Sequence, residues 1–298
     1  MTNRIFFNNC PSCHSTHISR ELTLRDHSVS GEQFEIWYCR DCSLRFTQNV
    51  PDQDSIGPYY RSENYISHTD TNKGIVNRLY RAVRNYTLKD KKNIIQAYTG
   101  LSTGNLLDVG AGTGAFAAYM QRSGWQVTAL EPDKLAREKA ANLYGLVLQD
   151  TSTLFSVEQS EFDAITLWHV LEHVHSIHQY IDQLKKILKP SGILFIAVPN
   201  YTSDDASRYR EFWAAYDTPR HLYHFSPASM KKLLEPHQLR IKKMIPMWFD
   251  SFYVSLLSEK YKSGRSNLLK GFWNGALSNA KALGKKEKAS SLIYVISK

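Results

Sequence analysis

The chain has 298 residues, of which 42% are hydrophobic, so it can bury a normal core and global disorder is excluded. The net charge of +9 favours anionic partners, but the lysines gather late in the sequence, where a solvated helix face accounts for them. The longest apolar run, residues 193–198, is too short for a membrane span, and the polar N-terminus is no signal peptide, so we expect a cytoplasmic protein.

All the cysteines of the chain lie near its N-terminus, in two Cys-x-x-Cys pairs. They are Cys10, Cys13, Cys39 and Cys42. Each pair presents two thiolates from one turn, and two such turns close a tetrahedral zinc site. Disulfides would need an oxidising compartment, and a redox pair would need a thioredoxin-like context that this sequence lacks. We therefore predict a structural zinc ion in a zinc-ribbon-like domain over residues 1–66.

Predicted strands and helices alternate through the rest of the chain. Apolar residues at helical spacing over residues 70–98 predict a helical linker, which we place at residues 67–100. The main domain then spans residues 101–298, and its repeated strand-then-helix units require a doubly wound α/β fold with a parallel sheet. The predicted strands are residues 105–109, 126–130, 146–148, 162–168, 193–198 and 291–297.

A glycine-rich turn follows the first of these strands, as in nucleotide-binding folds. Its glycines are Gly110, Gly112 and Gly114. They let a ligand approach the backbone, and the next helix begins with oriented N–H groups. Asp108 precedes the turn, while Glu131 and Asp150 end the second and third strands, at the edge where ligands bind such sheets. The same spacing also satisfies the dinucleotide fingerprint, which keeps a nicotinamide cofactor as an alternative.

Residues 106–114, Glu131 and the segment 162–174 together resemble the class I S-adenosylmethionine-dependent methyltransferases. The resemblance covers residues 101–298 and implies a Rossmann-like, seven-stranded sheet whose last strand, residues 291–297, is antiparallel. It also implies an enzyme that methylates a small-molecule acceptor. In that family's pattern, Asp108 and the glycine turn hold the methionine part of the cofactor, Glu131 holds the ribose and Asp150 contacts the adenine.

The segment after the fourth strand adds several titratable side chains. His169, Glu172 and His173 spell an inverted zinc-protease signature, but that site requires a long helix where this sequence ends a strand. The segment also resembles the ubiquinone-type O-methyltransferases, and Glu172 and His173 match divalent-ion ligands of that family. His169 stands where the family carries a carboxylate, so a divalent metal near Glu172 and a simple capping role both stay open.

Methyl transfer to oxygen or nitrogen is helped by a base, for which His169, His173 and His221 are the candidates. Arg220 is a candidate ligand for an anionic or sugar substrate. Residues 217–226 resemble bacterial methyltransferases fronted by a zinc-binding domain, several of which act on nucleotide-linked sugars or polysaccharide intermediates, so we expect a sugar-like acceptor. Two alternatives remain, an RNA-modifying methyltransferase that grips RNA with the zinc domain and basic tail, and a non-catalytic binding protein. No oligomeric state is predicted.

Overall fold

Two small antiparallel sheets form the N-terminal part of the chain, for which a computed structural model describes residues 3–60, 75–158 and 161–298. The strands here are β1 (Arg4–Ile5), β2 (Ile18–Arg25), β3 (Gln33–Cys39), β4 (Arg45–Thr47) and β5 (Val50–Pro51). Strands β2, β3 and β4 are adjacent, and β1 pairs with β5. Because Ile18 pairs with Cys39, the two Cys-x-x-Cys turns meet at one end of the β2–β3 hairpin.

A six-stranded mixed sheet forms the centre of the molecule. The remaining strands are β6 (Asn105–Val109), β7 (Gln126–Leu130), β8 (Phe162–Trp168), β9 (Leu188–Pro199), β10 (Tyr223–His224), β11 (Arg240–Pro246) and β12 (Ser291–Ser297). The order across the sheet is β11-β12-β9-β8-β6-β7, and β12 runs antiparallel to both of its neighbours. Strand β9 is buried from Ile193 onward, as expected for a strand covered on both faces. The predicted doubly wound fold with an antiparallel last strand is confirmed.

The third strand predicted for this sheet, residues 146–148, is reduced to a single bridge between Leu130 and Gln149. Val147 in its middle is 88% exposed. This segment lies at the sheet edge beyond β7, where only one side offers backbone partners. Among the described residues, the central sheet therefore has six strands, with one bridge at the seventh position.

Helices surround the sheet in the alternation that the sequence predicts. They are α1 (Ile75–Thr99), α2 (Ala115–Arg122), α3 (Lys134–Tyr144), α4 (Ile177–Ile187), α5 (Asp204–Tyr209), α6 (Pro227–Leu234), α7 (Asp250–Ser263) and α8 (Leu268–Gly284). Helix α6 begins with a capping box, in which the Ser226 hydroxyl accepts from the amide of Ser229, and with Pro227 in the first turn. The predicted start of α1 at residue 70 and the predicted domain boundary at residue 66 lie outside the described residues. Within the described ranges, no helix combines the length and apolarity needed to cross a bilayer.

The N-terminal sheet is completed by a strand from far along the chain. Strand β10 pairs antiparallel with β4, joining Tyr223 to Phe46 and His224 to Arg45. The buried guanidinium of Arg220, just before β10, also donates to the carboxylate of Asp26 at 2.9 Å. The N-terminal sheet therefore packs directly against the loop that carries His221.

Candidate active site

Asp108 lies at the carboxyl end of β6 and is buried. Its Oδ1 accepts a hydrogen bond of 2.7 Å from the Thr166 hydroxyl, whereas its Oδ2 has no hydrogen-bond partner among the described residues. Burial raises the pKa of Asp108 to about 7, against the lowering effects of Thr166 and of the charge on Lys91. A buried acceptor without a partner is costly, so a cationic or donor group of a ligand fits here.

The glycine turn is shaped by two different requirements. Gly110 has a φ of +71°, and a Cβ there would come within 2.4 Å of the Val170 side chain, so this glycine lets the turn pack on the segment after β8. Gly112 has a φ of +55°, and a Cβ there would meet no atom of the described residues within 4 Å. As far as these residues are concerned, the space beside Gly112 is open to a ligand. Gly114, with a φ of 77°, precedes the first turn of α2.

Glu131 is held beside this turn by two backbone amides. Its Oε2 accepts from the amide of Gly112 at 2.8 Å, and its Oε1 accepts from the amide of Asp133 at 3.0 Å. Burial raises the pKa of Glu131, while these amides lower it. Each carboxylate oxygen can accept further hydrogen bonds, so Glu131 remains suited to a pair of ribose hydroxyls.

Asp150 lies at the same edge of the sheet but is exposed. Its carboxylate accepts from the amide and hydroxyl of Ser152 and, at 3.0 Å, from the Arg137 guanidinium. The Ser152 amide is the main cause that lowers the pKa of Asp150. Arg137 also donates to the carbonyl of Glu131, which ties the second and third strand ends together. The predicted adenine contact is thus placed near the predicted ribose ligand.

Lys91 on α1 is a site residue that sequence analysis missed. Its Nζ lies 4.1 Å from the ring centre of Trp168 and 5.7 Å from that of Phe116. Burial lowers the pKa of Lys91 to about 8, although Asp108 and Asp250 attract its positive charge. Nothing in the sequence distinguishes it from Lys89 and Lys92, because its position depends on how α1 packs on the sheet.

His169 is held between two carboxylates. Its Nε2 lies 3.0 Å from Asp250 Oδ2, and its Nδ1 lies 3.3 Å from Glu172 Oε1. Burial alone would lower the pKa of His169, but these carboxylates raise it to about 10. An imidazolium has no lone pair at neutral pH, so the predicted role of His169 as a base does not fit this geometry. Asp250, at the start of α7, was not predicted because it is 81 residues away in sequence.

Unlike His169, which lies between two carboxylates, His173 and His221 are each held by a backbone carbonyl. Nδ1 of His173 lies 3.0 Å from the carbonyl oxygen of Arg220, and Nδ1 of His221 lies 2.8 Å from that of Ala215. Because a carbonyl only accepts, each neutral ring carries its proton on Nδ1 and leaves the Nε2 lone pair available. Burial and the neighbouring His221 lower the pKa of His173 to about 4. The two rings lie edge to face, 4.6 Å apart.

Glu172 completes this group. Its side chain is fully buried, and neither carboxylate oxygen has a hydrogen bond within the part of the chain that the structure describes. Burial would raise the pKa of Glu172, but the neighbouring His169 lowers it. Glu172, His173 and His221 each offer one donor atom, and these atoms lie within 4.8 Å of one another. A buried carboxylate beside two imidazole rings can assist proton transfer or bind a divalent cation.

Arg220 does not have the role expected from the sequence. Its guanidinium donates to Asp217 at 2.7 and 3.0 Å, to Asp26 at 2.9 Å and to the carbonyl of Tyr59 at 2.8 Å. All three nitrogens are therefore occupied by protein groups. Arg220 positions the His221 loop against the N-terminal sheet and is not free to hold a substrate.

The four cysteines converge at the end of the β2–β3 hairpin. Their sulfur atoms all lie within 4.8 Å of one another, and the Cys10–Cys42 and Cys13–Cys39 pairs are each separated by 3.5 Å. A tetrahedral Zn–S bond of about 2.3 Å places neighbouring sulfurs about 3.8 Å apart. The four thiols thus fit a closed, all-sulfur zinc site.

The fold and this site define a class I S-adenosylmethionine-dependent methyltransferase: a Rossmann-like sheet with an antiparallel last strand, a glycine turn and an acid at the end of the second strand. The family model of the methyltransferase domain matches residues 77–243, more than half of the chain, and the chain belongs to this family. It is therefore an enzyme that uses S-adenosylmethionine, and the nicotinamide and non-catalytic alternatives are set aside.

Curated relatives and one solved structure agree with this assignment. The chain is 27% identical to the ubiquinone biosynthesis O-methyltransferase of Rickettsia bellii over 196 residues, covering 60% of this chain and 80% of that protein. It is 31% identical to the protein of the same name from Xanthomonas oryzae pv. oryzae over 173 residues, covering 52% and 71%. A crystal structure described as a candidate sarcosine dimethylglycine methyltransferase from Galdieria sulphuraria shares the fold, with a TM-score of 0.50, 16% identity and coverage of 74% and 87%.

Proposed function

We propose that the chain transfers a methyl group to an oxygen atom of a small-molecule acceptor, with His221 as the base. The observation that carries this proposal is the buried group of Glu172, His173 and His221, which lies on the segments that follow β8 and β9. Val170, in the first of these segments, packs on Gly110 of the glycine turn. The names of the relatives from Rickettsia and Xanthomonas, which are O-methyltransferases, support oxygen as the accepting atom.

The cofactor residues of this proposal follow from the polar groups around the glycine turn. S-adenosylmethionine supplies a methyl group already activated by its sulfonium. Asp108, with its unpartnered Oδ2, receives the ammonium of the methionine part, and Lys91 receives the carboxylate. Gly110, Gly112 and Gly114 form the turn beside that part, Glu131 accepts from the ribose, and Asp150 faces the adenine. These residues orient the cofactor.

His221 accepts the acceptor's hydroxyl proton on Nε2 in this proposal. The hydrogen bond from its Nδ1 to the Ala215 carbonyl fixes the ring. Glu172, which is buried and paired with His169, stabilises the imidazolium that forms. His173 is the second imidazole of the group, 4.6 Å from His221 between ring centres, and His169 keeps Glu172 ionised.

The base role is tested by replacing His221 with alanine. We expect His221→Ala to lower kcat by about 100-fold or more, because a positioned base contributes a factor of that size. The affinity for S-adenosylhomocysteine, measured by calorimetry, should stay within about twofold. His17→Ala is the matched control, since His17 is exposed and pairs with Asp41. Full activity of His221→Ala would refute this role.

The acceptor is tested by a panel, in which methylated products are identified by mass spectrometry. A sugar-like acceptor, as predicted from the sequence, is represented by nucleotide sugars. Phenols form the second arm, because a phenolic hydroxyl with a pKa of about 10 is well matched to an imidazole base. Transfer RNA forms the third arm. Methylation of RNA alone would replace the small-molecule proposal with the RNA alternative.

A divalent cation is the second candidate for Glu172, His173 and His221. Two imidazoles that donate their Nδ1 protons to backbone carbonyls, beside a buried carboxylate that is paired with His169, match the surroundings of many metal ligands. Such a donor set suits zinc or iron better than magnesium. The cysteine site accounts for one equivalent of zinc per chain. A second equivalent of metal in the purified protein, lost in Glu172→Gln, would favour the metal over the base.

A further inference from the structure

Helix α8 buries its small side chains and exposes its large apolar ones. The buried residues follow one face of the helix, namely Gly271, Asn274, Gly275, Ser278 and Ala282. On the outside, Leu269 is 86% exposed, Leu268 68%, Trp273 64% and Phe272 60%. An amphipathic helix of a globular protein normally buries its large apolar residues. We call these four exposed residues the α8 apolar patch.

The buried face of α8 explains why its large side chains point outward. A Cβ at Gly271 would come within 2.9 Å of Leu256 Cα, and a Cβ at Gly275 within 2.8 Å of Phe252 Cα. The α7 and α8 backbones are therefore so close that a larger side chain would clash. Asn274 adds buried hydrogen bonds to Tyr209 and Glu259. The hairpin is fixed in this orientation, so the patch is a permanent feature of the surface.

Positive charge is concentrated on the α7–α8 hairpin that carries the patch. From residue 260 to residue 286 the chain contains no aspartate or glutamate, but it contains seven basic residues. Lys260, Lys262 and Arg265 are exposed at the tip of the hairpin, while Lys270 pairs with the buried Glu259 at 3.2 Å. Tryptophan, phenylalanine and leucine rimmed by basic residues are typical of helices that lie in the interface of an anionic bilayer.

We infer that the tip of the α7–α8 hairpin docks on the surface of an anionic lipid bilayer. Leucine, phenylalanine and tryptophan side chains of the patch enter the headgroup region, and Lys260, Lys262 and Arg265 face the lipid phosphates. A second copy of this chain fits less well. A two-fold interface would bring the patch and its cationic rim against the same cations of the partner. The inference does not depend on which acceptor is methylated.

The test is sedimentation of the full chain with vesicles. We expect strong binding to vesicles that contain phosphatidylglycerol, at least tenfold weaker binding to pure phosphatidylcholine vesicles, and weakening by salt. The double variant Leu269→Ser with Trp273→Ser should lose at least tenfold in binding. The pair Lys262→Glu and Arg265→Glu should lose a similar factor. Val147→Ser is the matched control, because Val147 is 88% exposed and lies at the β7 edge of the central sheet, whereas α7 and α8 connect β11 and β12 near the other edge.

Two further measurements keep the outcomes distinct. Circular dichroism melting should show that the variants fold, and their methylation of a water-dissolved acceptor should be unchanged, since the patch lies outside the proposed site. Equal binding of wild type and both double variants to anionic vesicles would overturn the inference. A dimer in sedimentation equilibrium that Leu269→Ser with Trp273→Ser dissociates, without vesicle binding by the wild type, would assign the patch to a second copy instead.

Discussion

Asp108 and Lys91 lie at the methionine end of the proposed cofactor site, and their pKa values are close to each other. Burial raises the pKa of Asp108 to about 7 and lowers that of Lys91 to about 8. Asp108 is ionised above its pKa, and Lys91 is charged below its own. Both are charged together only between about pH 7 and pH 8, so a zwitterionic ligand is bound best in that window.

We therefore expect the affinity for S-adenosylhomocysteine to be bell-shaped in pH, with a maximum between about 7 and 8. Calorimetry from pH 6 to pH 9 measures it. Asp108→Asn should remove the acid limb, and Lys91→Met should flatten the alkaline limb. The ligand's own amine titrates in every variant, so the difference from wild type isolates the side chain. A profile that Asp108→Asn leaves unchanged would contradict the assignment of Asp108.

Glu131 allows a second test at the scale of one residue. Glu131→Ala should weaken the binding of S-adenosylhomocysteine by about tenfold or more, because hydrogen bonds to a buried carboxylate are lost. Glu138→Ala on α3 is the matched control, since Glu138 is exposed and forms a long, solvent-exposed ion pair with Lys134 at 3.9 Å. Unchanged affinity in Glu131→Ala would remove the ribose assignment.

At the scale of elements, the contact between the glycine turn and the segment after β8 joins the proposed cofactor and acceptor sides. Gly110 and Gly264 have φ angles of +71° and +70°, but only Gly110 has a close neighbour, Val170. Comparing substitutions at Gly110 and Gly264 therefore separates the cost of the left-handed backbone from the cost of steric overlap with Val170.

We expect Gly264→Ala to lower the free energy of unfolding by about 1–2 kcal/mol, from the left-handed backbone alone. Gly110→Ala should cost about 1–3 kcal/mol more, because of overpacking against Val170. Urea unfolding measures both. Adding Val170→Ala should recover part of the difference, and equal losses in the two glycine variants would argue against a tight contact.

The elements also show what a sequence can and cannot predict. Strands β6, β8 and β12 begin and end where their apolar patterns predict, since each is held between two strands or packed by helices. Residues 146–148 have the same apolar character, but pairing at a sheet edge depends on a neighbour that the local sequence does not specify. Lys91 and Asp250 reach the site from remote helices, so no local motif identifies them, whereas Asp108 and Glu131 belong to a contiguous motif.

At the scale of the whole molecule, the N-terminal sheet and the methyltransferase fold share a boundary made by Arg220. The Arg220–Asp26 pair is buried, and burial would raise the pKa of Asp26, but the Arg220 guanidinium lowers it. Tyr60 also reaches across, with its hydroxyl 3.1 Å from His173 Nδ1. The division proposed from the sequence, residues 1–66 and 101–298, therefore separates segments that meet at the proposed acceptor side.

Asp26→Asn should lower the free energy of unfolding by about 3 kcal/mol, since it leaves part of a buried guanidinium uncompensated. Asp41→Asn removes an exposed pair with His17 and should change stability much less than Asp26→Asn, because solvent screens exposed pairs. Thermal or urea unfolding compares the two. Similar small losses would show that the boundary is not held by this pair.

The proposed zinc ion should also influence turnover. We expect Cys39→Ser to remove one equivalent of zinc and to lower kcat, because β3, which ends at Cys39, holds β4, and β4 pairs with β10 directly after His221. The affinity for S-adenosylhomocysteine should change little. Metal analysis and calorimetry provide these measurements, and retention of both zinc and full kcat would contradict the coupling.

The pairing of β4 with β10 has one further consequence. Strands β4 and β10 begin 178 residues apart, at Arg45 and Tyr223. Each provides backbone hydrogen-bonding partners for an edge of the other that would otherwise be unpaired. Separating the cysteine-rich segment from the methyltransferase fold would expose an unpaired edge on β4 and on β10. Unpaired strand edges promote aggregation. A transplant of the methyltransferase fold into another protein should therefore include the cysteine-rich segment, or replace the β4–β10 contact with a new one.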